Sequence, residues 1–130
     1  MKPPTETLRI SKRGRDQLLK VRRQTGVEHW NVLCRWAFCI SLRETTPPPQ
    51  TADTLEGGVE MSWKVFSGEY AEIYAALCWH RLAADGLPNN PDAAAACLRA
   101  HIHRGLSYLA AGTDTKTLPD FLNKWLLPSQ

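Results

Sequence analysis

The chain has 130 residues and a mass of 14.6 kDa, enough for one domain with a modest core and too little for two. Hydrophobic residues at 43%, charged residues at 22% and five Trp exclude a disordered or fibrous class. The formal charge of +3 is uneven: residues 1–43 carry ten Lys/Arg against three Asp/Glu, a balance of +7, and the remainder balances at −4. Such asymmetry points to a polyanion partner at one end and a neutral or basic protein partner at the other.

In chain order, Met1–Glu6 holds no apolar run of signal-peptide length, and no later segment approaches the roughly 18 apolar residues of a membrane span. A cytoplasmic protein with no membrane contact is expected. Thr7–Ser11 alternates polar and apolar and predicts a short strand with Leu8 and Ile10 inward and Thr7, Arg9 and Ser11 outward. Ser11 then caps a helix over about 12–24 that ends at Gly26. Gly14, Leu18, Val21 and Thr25 form a narrow inner stripe, and Lys12, Arg13, Arg15, Lys20, Arg22 and Arg23 cover most of the rest.

The second helix, about 28–43, is apolar over most of its circumference: Trp30, Leu33, Trp36, Ala37 and Ile40 share a face, and Val32, Phe38, Cys39 and Leu42 extend it. So short a chain cannot cover such a helix alone, which predicts a self-associating protein. Residues 45–58, with three consecutive Pro and a Gly pair, read as a connection. Residues 59–65 alternate as a second strand. Helices are expected over about 68–84, with Tyr70, Ile73, Tyr74 and Leu77 inward, and from Pro91, capped by Asn90, to about 110, with Leu98, Ile102, Leu106 and Leu109 as the stripe. A last helix is expected over about 119–127. The fold class is mainly α, one compact domain over 1–130, with a short N-terminal strand and a ribbon-helix-helix-like unit over 7–43. In that unit strands would pair across a dimer and enter a DNA groove.

Phosphate contacts need cations and tolerate many geometries, so the candidate DNA-binding residues are Arg9, Lys12, Arg13, Arg15, Lys20, Arg22, Arg23 and Arg35. Trp30 and Trp63 are candidates for stacking on an unpaired base, with core packing as the competing role. Cys34, Cys39, Cys78 and Cys97 form no CxxC pair and are expected as buried thiols without disulfides. His101-Ile102-His103 with Tyr108 has the composition of a nickase metal pair and nucleophile. The alanine-rich stretch upstream makes that segment a helix, which sets the two His about 200° apart. Cys97 and His101 at i, i+4 supply only half a zinc site. No phosphate-cradling Gly motif is present, so no catalytic residue, cofactor or metal is assigned.

Leu8-Arg9-Ile10-Ser11-Lys12-Arg13, Asp16-Gln17-Leu18, Arg23-Gln24-Thr25-Gly26 and the run Trp30 to Cys39 closely resemble the DNA sulfur modification protein DndE family. The resemblance continues through Pro47–Pro49, Val59–Lys64, Gly68–Tyr70 and His101–Leu109, nearly the whole chain. It implies a small, helical, homotetrameric protein that prefers nicked double-stranded DNA and works beside the other subunits of a system replacing a backbone phosphate oxygen with sulfur. The resemblance brings no catalytic motif with it. The competing classes are a ribbon-helix-helix regulator bound to an operator, and an assembly adaptor without DNA contact.

Overall fold

A computed structural model describes residues 1–50 and 53–112. The elements run β1 (Thr7–Ile10), α1 (Lys12–Thr25), α2 (Trp30–Leu42), β2 (Val59–Ser62), α3 (Trp63–Ser67), a single 3₁₀ turn (Gly68–Tyr70), α4 (Ala71–Ala84) and α5 (Pro91–Ala111). The helix expected over about 119–127 lies outside the described residues.

Leu8 and Ile10 of β1 are buried and Thr7 and Arg9 exposed, as the alternation requires, but Ser11, expected outward, is fully buried because it caps α1 beneath His103. Ser11 adopts extended backbone and its side chain accepts from the N–H of Gly14 at 3.0 Å, starting α1. Gly26 ends it at φ 76°, its N–H bonded to the Arg22 carbonyl. The inner stripe is as expected: Gly14, Leu18, Val21 and Thr25 are buried.

β1 pairs antiparallel with β2 of the same chain, Thr7 opposite Ser62 and Ile10 opposite Val59. The strand–helix–helix succession of the N-terminal unit is therefore present, with its strand partner supplied from inside the chain. The alternation of 59–65 carries the strand only to Ser62. There the Ser62 hydroxyl accepts from the N–H of Val65 and caps α3 instead.

α2 and α5 form the centre. Leu33, Cys34, Ala37, Phe38 and Ile40 of α2 and Leu98, Ile102, Leu106 and Leu109 of α5 are buried in one cluster with Leu8, Ile10 and Leu18. The helices cross so closely that a methyl group on Gly105 would collide with the Ala37 backbone. Phe38 meets Phe66 edge-on at 6.2 Å and His101 at 6.3 Å. The outer side of α2 leaves Val32 and Trp36 half-buried and Cys39 exposed.

α4 departs from expectation. It begins at Ala71 after the 3₁₀ turn, and Tyr70 and Ile73 are 56% and 58% exposed. Its inner face is Ala75, Cys78, Arg81 and Leu82, rotated from the aromatic stripe because small side chains seat it near α5. Tyr74 and Leu77 remain half-buried against the core. Cys39 also corrects the expectation of four buried thiols; Cys34, Cys78 and Cys97 are buried.

Candidate nucleic-acid interface

Because Gly14, Leu18, Val21 and Thr25 turn inward, the helical period turns Lys12, Arg13, Arg15, Lys20 and Arg23 outward, and all are exposed. Asp16 is the one acid on α1, at i+4 from Lys12 and i−4 from Lys20. The first turn of α1 holds no acid and contains Lys12 and Arg13 beside the positive end of the helix dipole. Cations there cost the helix about 0.3–1 kcal/mol each. Helix stability accordingly does not account for them.

The other candidates are placed differently. Arg22 is half-buried with its guanidinium carbon 5.3 Å from the centroid of the Trp30 ring. Arg9 is exposed on β1, but its cross-strand partner is Glu60, and both line a depression that also contains Glu56. Arg35, half-buried on α2, donates from Nη1 to the Phe66 carbonyl at 2.9 Å. The structure thus groups five cations on α1 and sets Arg9, Arg22 and Arg35 among local partners. Neither Trp presents a bare ring: Trp63 is 8% exposed and packed on Phe66, and Trp30 carries Arg22 on its face.

Behind this face lies a buried polar assembly that sequence spacing did not reveal. Arg104 donates from Nε to Ser41 Oγ, from Nη2 to the Ser41 carbonyl and from Nη1 to the Thr46 carbonyl, at 2.8–2.9 Å. Arg81 donates to the carbonyls of Leu42, Glu44 and Thr46 and, through Nε, to Asp85 Oδ1 at 2.7 Å. Two arginines therefore satisfy the carbonyls at the C-terminal end of α2 and complement its dipole.

His101 completes the assembly, 2.8 Å from Ser41 Oγ through Nδ1 and 2.9 Å from Asp85 Oδ2 through Nε2. The ionised Asp85 carboxylate can only accept, so the His101 proton sits on Nε2 facing it, and Nδ1 of the neutral ring accepts from the Ser41 hydroxyl. Burial and the two nearby cations hold His101 below the usual imidazole range, against the opposing pull of Asp85. Burial raises the Asp85 pKa, but hydrogen bonds from Arg81 and His101 outweigh it and leave the carboxyl below its ordinary value.

A hydroxyl, an imidazole and a carboxylate in series have the composition of a nucleophilic triad. Ser41 is fully buried, however, and its oxygen already receives Arg104, so substrate has no approach to it. Asp85, Cys97 and His101 also place ligand atoms within 4.8 Å of one another, as a metal site would require. A metal there would have to displace the Asp85 bonds to Arg81 and His101 and take the proton of a Cys97 thiol raised by burial to about 11. This assembly braces the fold. Asp85 caps the C-terminus of α4, whereas Cys97 and His101 lie on α5, and its place just before Gly86 was its only sequence signal.

His103 faces elsewhere. Its Nε2 accepts from the Ser11 N–H at 3.1 Å and Nδ1 donates to the Arg99 carbonyl at 2.7 Å. The two histidines diverge as a helix dictates, and Tyr108 Oη donates to Glu44 Oε1.

The sequence model of the family described as DNA sulphur modification protein DndE matches residues 7–117, from β1 to beyond the end of α5. The chain belongs to the DndE family. That membership places it in DNA sulfur modification and covers both the basic helix and the buried brace. A comparison with curated proteins gave no match. No helix among the described residues of this DndE-family protein is long and apolar enough to cross a membrane.

Proposed function

We propose that this protein is a non-catalytic accessory subunit of the DNA phosphorothioation machinery, cytoplasmic and homotetrameric, that holds nicked double-stranded DNA by its backbone phosphates. The observation that carries the reading is the exposed row Lys12, Arg13, Arg15, Lys20 and Arg23 on α1, of which Lys12 and Arg13 sit at the positive end of the helix dipole, where helix stability disfavours them. Cations on a surface helix engage phosphates without reading sequence, and each phosphate neutralised adds to affinity by counterion release. A nicked duplex bends at low cost and can follow a multimer's surface that an intact one cannot. Repeating α1 around a tetramer would supply that surface, with the outer side of α2 as its seam.

Within the wider machinery, this subunit would sit beside those that supply sulfur chemistry. A regulator reading loses its motivation, since β1 takes its partner from its own chain. The test is a gel-shift series with nicked, intact and operator-like duplexes over a range of salt. Preference for the nick with a steep salt slope is the expected result. Sequence-dependent binding of intact duplex would replace this reading with a regulator, and no binding to any duplex would leave an adaptor.

A further inference from the structure

A cleft of about 420 Å³ opens between α1 and α5, lined by Arg13, Gln17, Ala100, His103, Ser107 and Tyr108. It adjoins the basic row through Arg13, yet its walls differ from a phosphate track. The His103 ring is fixed through both nitrogens and the Tyr108 phenol through Glu44, so both rings are held in place. Among the described residues, Arg13 and Gln17 make no side-chain hydrogen bond or ion pair within the protein. Ser107 Oγ donates to the Arg104 carbonyl and keeps its lone pairs.

We infer that this cleft takes one unpaired nucleotide of a DNA strand, an assignment that rests on the DNA-binding reading above. The size matches a single small ligand and excludes a duplex. Held rings offer flat faces for a base, and such stacking tolerates any base identity. The Gln17 amide brings one donor group and one acceptor to a base edge, and Ser107 adds an acceptor. Arg13 supplies the cation for the phosphate. Recognition of a displaced nucleotide would distinguish a broken or frayed strand from an intact duplex.

The test uses the full chain and two readouts. In the first, thymidine 5′-monophosphate is titrated against labelled protein by NMR, and shifts at Gln17 and Ser107 are expected. In the second, a duplex with a one-nucleotide flap at a break is compared with an intact duplex. Wild type should favour the flap by roughly tenfold, the worth of about one or two good contacts. The Q17A/S107F pair should reduce that preference to within about twofold and leave intact-duplex affinity unchanged. Q17A/S107A replaces it if circular dichroism shows misfolding. A preference that survives in a folded variant, or no shifts with the monophosphate, overturns the assignment. Intact-duplex binding without flap preference defeats the cleft alone; monophosphate binding without duplex binding defeats the DNA-binding reading alone.

Discussion

The backbone N–H of Ser11 donates to Nε2 of His103, so the residue that caps the basic helix is held by a side chain 92 positions away. The same Ser11 hydroxyl accepts from Gly14. The start of α1, and with it the direction of Lys12 and Arg13, is thereby fixed to α5, the central helix whose inner stripe is buried against α2.

That link predicts a pH dependence. Burial holds His103 below its ordinary value of 6.5 in the folded state, and burial likewise lowers His101. Protonation therefore favours the unfolded chain: the stabilisation is complete above about pH 6.5 and is lost as the pH falls toward the depressed folded values. Thermal melts from pH 7.5 to 5 should show a falling Tm. In H103N, whose amide does not titrate, the fall should be shallower. A wild-type Tm flat over that range would remove the linkage.

Neutralising Lys20 and Arg23 together, as K20Q/R23Q, should weaken duplex binding and reduce the salt slope by roughly one to two units. Both side chains are exposed, so the unfolding free energy from urea titration should stay within about 0.5 kcal/mol of wild type. Arg35→Gln reverses the pattern, losing stability through the bond to the Phe66 carbonyl while the salt slope holds. Equal salt slopes for wild type and K20Q/R23Q would mean that DNA meets another face.

Arg104→Met keeps much of the side-chain volume and removes the donors to Ser41 and Thr46. Buried acceptors left unpaired cost about 1–3 kcal/mol each, so equilibrium urea unfolding should report a loss of at least about 2 kcal/mol. A loss below about 0.5 kcal/mol would show that water or relaxation replaces the arginine.

Gly105→Ala tests the α2–α5 contact. The added methyl has no room beside Ala37, and separating two packed helices should cost about 1–3 kcal/mol by the same urea measurement. An unchanged or improved midpoint would mean that the helices part without loss, since alanine is otherwise the better helix former.

Local signals in the sequence were faithful where one segment decides its own structure. Ser11, Gly26 and Asn90 mark helix ends, and the inner stripes of α1 and α5 follow from their periods. The α1 cations were legible for the same reason. Misreadings arose where a second element decides. The alternation through Val65 gives no sign that Ser62 prefers a cap, and the aromatic stripe of α4 outranks by size the small residues that let it approach α5. The half-buried Arg35 takes the Phe66 carbonyl as a partner that its own segment does not announce. The brace of Ser41, Arg81, Asp85, His101 and Arg104 joins three segments that no spacing rule connects.

That brace also redistributes the electric field. Arg81 and Arg104 count toward the formal charge of the chain's second part, but both are 9% exposed and are spent on α2 carbonyls and on Asp85 and Glu44. What that part shows to water is thus poorer in cations than its composition suggests, whereas the α1 cations stand clear in solvent. Each of these buried cations takes an acid with it, so the excess of acids in that part persists while α1 keeps its cations in solvent. In the field of a polyanion such a body feels a torque before any contact forms, so it would arrive already turned with α1 leading, and added salt would slow its arrival as well as loosen its hold.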